Sequence, residues 1–205
     1  MHVAGVAPWR VHGMADELRV LHDVLGRLAA ARPTWAPRIA RLLAACERLG
    51  ASVPEPRPCG VHRDFYGEQV LVDGDRLWLI DFDLYCLGDP ALDAGNFIGH
   101  ITEQALREHG DPAALADREA ALEERFMALA GHDVRARVRA YATLTLARHV
   151  CLSLERLGDV AFTTRLFELC EERLAIAVPG RGAMTWAGGG ARGALTAAGA
   201  GGAAR

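Results

Sequence analysis

Between Ala15 and Ala31 apolar residues recur at Leu18, Leu21, Leu25 and Leu28, the three-and-four spacing of a single helix face. The same spacing returns from Trp35 to Leu49 with Ile39, Leu42, Cys46 and Leu49, after a break at Arg32-Pro33-Thr34. Two amphipathic helices are therefore predicted at the start of the chain. The run SVPEPRP, from Ser52 to Pro58, ends helical structure, because proline removes a backbone donor and restricts the residue before it. The period then shortens. QVLV from Gln69 and RLWLI from Arg76 read as two short strands, and Asp73-Gly74-Asp75 between them is turn chemistry, which predicts a small hairpin.

Helical spacing resumes beyond the hairpin. Asp89-Pro90 and Asp111-Pro112 each combine a capping side chain with a proline suited to a first helical turn. After the second pair, Leu115, Leu122, Phe126 and Leu129 mark one buried face. From Asp133 to Leu157 apolar residues fall on most sides of the pattern, predicting a central helix, and Ala161 to Ala175 supplies a last one. The predicted class is α+β, mainly α, with the folded region ending near Val178. One domain is expected over residues 1–180, divided into leading helices (1–56), a loop and hairpin (57–83) and a helical part (84–180). The Gly/Ala-rich segment 181–205 has no periodic apolar face to offset the entropy of ordering, and disorder is expected there.

Composition narrows the functional classes. At 205 residues, with 51% hydrophobic content and mean hydropathy near zero, the chain can bury a core of its own. A net charge of −3 supplies no general attraction for nucleic acid or an anionic membrane, and neither is expected as a partner. No run is long and apolar enough to span a bilayer and the first residues lack a secretory pattern, so a cytoplasmic location is expected. The five cysteines form no CxxC pair and are expected to be reduced, mostly core thiols. All 23 basic residues are arginine; lysine does not occur.

The segment VHRDFYGEQVLVDGDRLWLIDFDLYCLGDPALD, Val61 to Asp93, concentrates the candidate chemistry. Asp64, Asp81 and Asp83 stand where apolar runs meet turns. A hairpin that starts at Gln69 and ends on Asp81 brings those two side chains near one another, with Asp64 at its base. A carboxylate and an amide oxygen are hard donors suited to Mg²⁺. Asp64 is then left to accept a proton from a hydroxyl nucleophile, a division of labour that belongs to phosphoryl transfer.

These residues carry a resemblance. His62-Arg63-Asp64 followed by Gln69 resembles the catalytic loop of the protein-kinase-like superfamily, and Ile80-Asp81-Phe82-Asp83 resembles the metal-binding segment of its aminoglycoside phosphotransferase and choline kinase branch. Leu87-Gly88-Asp89-Pro90-Ala91-Leu92-Asp93 is similar to that branch's Gly-Asp-Pro-x-x-Asp segment. The resemblance implies Asp64 as catalytic base, His62 as a brace for the loop, Asp81 as principal Mg²⁺ ligand, Gln69 in the place of the second metal-binding amide, and Asp83 as an assistant at metal or substrate. Asp89 and Asp93 would tie the following helix to the loop. It implies a C-terminal catalytic lobe and an ATP- and Mg²⁺-dependent phosphotransferase of a small hydroxylated molecule. Gln69 differs from the family's usual Asn by one methylene.

The family's nucleotide lobe is a five-stranded sheet with a lysine on the ATP phosphates, whereas the residues before His62 read as helices. That lobe is expected to be absent here, or to be supplied by an upstream segment or by a separate chain, which would dock on exposed apolar surface of the first two helices. The alternative function is a non-catalytic remnant or binding module that keeps the old cleft, and a purely structural helical partner is a third. Arg148 and His149, polar within the central helix, either face the substrate cleft or are satisfied internally. Eight acids against four arginines between Ile101 and Arg135 suit a cationic substrate or, equally, a solvated face, which is the preferred reading. His2, His12, His22, His100, His109 and His132 show no ligand spacing.

Overall fold

The computed structural model describes residues 10–175. The expected tail, 181–205, and His2 lie outside them. The predicted opening helices are α1 (Met14–Ala31) and α2 (Ala36–Ser52). Leu21, Leu25 and Leu28 of α1 and Ile39, Leu42 and Cys46 of α2 are buried, the inward stripe that their spacing demands. Arg38 of α2 reaches Glu171 through two hydrogen bonds of 2.8 and 2.7 Å, pinning the leading helices to the end of the fold.

Three short strands form a sheet that hydrophobic patterning did not reveal: β1 (Val11–His12), β2 (Cys59–Val61) and β5 (Cys86–Gly88). β5 lies in the middle, parallel to β1 and antiparallel to β2, with Gly60 opposite Leu87. At two or three residues each, these strands are too short to show alternation. The hairpin is β3 (Val70–Asp73) and β4 (Arg76–Leu79), with Asp73 opposite Arg76. Gly74 turns it at φ 59°, a conformation that glycine adopts without a Cβ penalty. Leu71, Val72, Leu77 and Trp78 are all exposed, so both hairpin faces are apolar and open. The expected docking surface is thereby corrected: among the described residues no large exposed apolar side chain lies on α1 or α2, and most of them lie on the hairpin and the segment after it.

The helical part comprises α3 (Pro90–His109), α4 (Ala116–Ala130), α5 (Arg135–Leu157) and α6 (Val160–Arg173). Asp89 caps α3 by accepting the Ala91 N–H at 2.9 Å, as its pairing with Pro90 predicts. Asp111 instead accepts from Ala113 N–H at 2.9 Å in a turn, and α4 begins only at Ala116. The expected α4 face is also corrected, because Leu129 is exposed and Met127 is buried in its place. Helix α5 is central, packing on α3, α6 and α1. All five cysteines are free thiols, and four of them are buried. No helix among the described residues is long and apolar enough to cross a membrane.

Two glycines set the α3–α5 spacing. A Cβ on Gly95 would stand 2.5 Å from the Tyr141 Cβ, and one on Gly99 2.8 Å from Thr145 Cγ2. The helices touch there with backbone against side-chain root, which brings polar groups of both within hydrogen-bond reach. Gly95→Ala is therefore expected to lower stability by about 1–3 kcal/mol, measured by urea denaturation, because the added methyl meets backbone and Cβ rather than a flexible chain end.

Candidate functional site

The loop between β2 and β3 carries Asp64, and side chains of α3 hold it from below. Asp93, in the first turn of α3, accepts the His62 N–H at 3.0 Å and the Arg63 N–H at 2.8 Å, one on each carboxylate oxygen. Asn96, one turn further along, donates to the Phe65 carbonyl at 3.1 Å. Asp64 thus sits between two anchored neighbours. Arg63 is held at φ 74° and Asp81 at φ 59°, left-handed conformations that cost a non-glycine residue about 1–3 kcal/mol and persist only where surrounding contacts impose them.

His62 is fully buried, and its Nε2 donates to the Ile80 carbonyl at 2.8 Å. Its ring packs on Phe82, with centroids 4.9 Å apart. Since Ile80 directly precedes Asp81, His62 couples the loop to the end of the hairpin. Gln69, buried at the end of a short 3₁₀ turn, accepts the Ile80 N–H on its carbonyl at 3.1 Å. Its side-chain Nε2 lies 3.5 Å from the Asp81 carboxylate, so the structure brings these two candidates together. Asp83 is exposed, and no hydrogen bond ties it to the others among the described residues. No three His, Cys, Asp or Glu side chains converge as a ready-made metal cluster among the described residues. The donors present are carboxylates and an amide, the hard-oxygen chemistry that Mg²⁺ accepts when phosphates complete its shell.

On the α3–α5 seam beside the loop, His100 stacks on Tyr66, with centroids 4.2 Å apart and planes within 8°. His149 meets His100 edge-on at 4.5 Å. Burial, then Asp64 and Glu68, raises the Tyr66 hydroxyl above its ordinary range. Burial, reinforced by Arg148, Arg107 and Arg156, brings His100 down to about 3. His149 is held well below its usual value by burial and by His100. Both imidazoles are therefore neutral. Arg148 donates to Asn96 Oδ1 at 2.8 Å, an internal partner rather than an open cleft. Three acids of the α3–α4 region are similarly engaged: Glu103 with Arg107, Glu123 with Arg139 and Glu119 with Thr102.

Asn96, His100 and Tyr66 escaped the sequence reading as site residues. A signal was present, because Asn96 and His100, and likewise Thr145 and His149, recur four residues apart and so share a helix face.

The profile of the phosphotransferase enzyme family matches residues 7–141, well over half of the chain. The chain belongs to the phosphotransferase enzyme family. No curated protein matches it. Among solved structures it is similar to a thermostable mutant of aminoglycoside phosphotransferase APH(4)-Ia in its apo form, with 21% identity and a TM-score of 0.55. That likeness covers 82% of this chain and 52% of the other, so the chain spans about half the length of that structure. The shared fold is the mainly helical lobe with its small sheets, the kinase-like architecture expected from the motif. In this member of the phosphotransferase family the lobe includes α1 and α2, which precede the loop.

The neutral histidines make a pH signature. Their folded-state pKa values are depressed, so the unfolded chain binds more protons between about 3 and the ordinary histidine value of 6.5. Stability is expected to fall as pH drops through that window, and His100→Asn to flatten the slope, as read from urea midpoints at successive pH values.

Proposed function

We propose that this chain is the catalytic and acceptor-binding part of an ATP- and Mg²⁺-dependent phosphotransferase acting on a hydroxyl of a small molecule. The observation that carries the proposal is the double anchoring of Asp64. Its neighbours are fixed by Asp93 and Asn96, and Gln69 reaches to 3.5 Å from Asp81 where the following hairpin begins and ends. Asp64 accepts the proton of the attacking hydroxyl, and the rigid loop holds its carboxylate in place for the transfer. Asp81 and Gln69, assisted by Asp83, would hold Mg²⁺, which when bound neutralises charge on the polyphosphate. His62 contributes by position, through Ile80.

The acceptor side, on this reading, is the wall of Tyr66, His100 and His149. It is aromatic and uncharged, and Glu103 of α3 and Glu123 of α4 are paired with arginines. The nucleotide side is the exposed hairpin. An isolated two-stranded hairpin is marginal in water, and apolar side chains on both faces call for a cover. A strand-rich segment, joined upstream or carried on a separate chain, supplies that cover and closes over the phosphates. The same open hairpin favours the second reading, a non-catalytic module, if no such segment exists. Neither nucleic acid nor membrane is proposed as a partner, and the cytoplasm is the proposed location.

Mg²⁺-dependent ATP consumption, stimulated by a hydroxylated acceptor, is the expected activity. Asp64→Asn should reduce it by about 10²-fold or more while leaving the thermal midpoint unchanged. Equal turnover in wild type and variant would refute the assigned base, and no turnover with any covering segment would favour the non-catalytic module.

A further inference from the structure

Helix α1 carries a carboxylate that neither the family motif nor the proposed chemistry uses. Glu17 is 5% exposed and faces three basic side chains. His12 Nε2 lies 2.6 Å and Arg63 Nε 3.6 Å from its Oε1, and Arg148 Nη1 lies 3.7 Å from its Oε2. The Arg63 Nε is buried and makes no hydrogen bond, so the Glu17 carboxylate is the group that meets its charge. Arg148 continues the chain of contacts, donating to Asn96 Oδ1, and Asn96 donates in turn to the Phe65 carbonyl. One buried carboxylate therefore reaches both residues that flank Asp64: directly through Arg63 on one side, and by way of Arg148 and Asn96 through Phe65 on the other.

We infer that Glu17 is a positioning residue for Asp64, so that α1 belongs to the catalytic machinery rather than merely leading into it. Resting on the reading of Asp64 as the base, this assignment gives α1 a specific task. Arg63 occupies a left-handed conformation that its own backbone disfavours, and such a conformation needs external contacts to hold it. Asp93 grips only the Arg63 amide, whereas Glu17 fixes the direction of its side chain. Burial alone would push the Glu17 carboxyl up, but the His12 hydrogen bond and the charges of Arg148 and Arg63 outweigh it and keep the group ionised. A buried anion surrounded by arginines is also costly to leave half-paired, so removing its charge frees two side chains at once.

Glu17→Gln keeps the shape and removes the charge; Arg148→Met cuts the longer branch while sparing Glu17. In the full chain, amide hydrogen exchange of residues 62–66 is expected to quicken about tenfold or more in each variant, with the core amides of α2 and α6 unchanged. In the turnover assay, kcat should fall by about 10–100-fold with the KM for Mg·ATP unchanged, and Glu17→Asp, which retains the charge, should recover part of the loss. Unaltered loop exchange in both variants, or exchange quickened uniformly through α2 and α6, would overturn the assignment. The exchange measurement needs no turnover, and if Glu17→Gln does not fold, Arg148→Met decides. Loosening confined to the loop in a chain whose turnover survives Asp64→Asn would instead overturn the base, and the positioning role with it, while leaving the Glu17 link to the loop intact.

Discussion

Everything at the site depends on one carboxylate beneath one loop. Asp93 accepts two consecutive backbone N–H groups, of His62 and Arg63, at a place where 2% exposure leaves no water to replace it. Without that acceptor both donors would be buried and unsatisfied, at about 1–3 kcal/mol each. The position of Asp93 follows from the start of α3, which Asp89 caps. Asp89 also pairs with Arg137 of α5 at 3.1 Å, with both side chains buried. The loop is thus referred, through two aspartates, to the central helix of the fold.

The seam between α3 and α5 converts that anchoring into a surface. Gly95 and Gly99 let the helices approach until Asn96 meets Thr145 and Arg148, and His100 meets His149. Polar groups brought so close in a dry seam must either pair or shed charge. Asn96 satisfies three partners, and the two imidazoles remain neutral because burial and neighbouring arginines disfavour their charged forms. A chain without lysine suits this arrangement, since the planar guanidinium can serve two acceptors at once, as Arg148 does for Asn96 and Glu17.

The hairpin shows the opposite state. Val72 and Leu77 face each other across the ribbon at 71% and 69% exposure, in a fold whose helices bury their apolar stripes well. The chain spans half the length of its structural neighbour, and the open ribbon adjoins Asp81. Burial and openness therefore divide along the axis of the proposed function. On that proposal the acceptor side has its wall within the chain, while the side assigned to the nucleotide presents apolar surface that a further segment would cover.

Much of this was legible in the order of residues. The apolar stripes of α1, α2 and α5, the Asp-Gly turn and the Asp89-Pro90 cap are local signals, because a helix face or a tight turn is decided by residues a few positions apart. The three-part motif from His62 to Asp93 likewise carried the family, since its members lie on one continuous stretch. The three-stranded sheet was not legible, for β1 and β5 pair across more than seventy residues with strands too short to alternate. Nor were the contacts of Glu17, Asn96 and His100, which look like ordinary polar residues on helices until α1, α3 and α5 are packed. Local chemistry determined which elements form and which acids lie in the loop; only tertiary packing decided which buried charges meet there, because Coulombic and hydrogen-bond contacts depend on distance in space rather than along the chain.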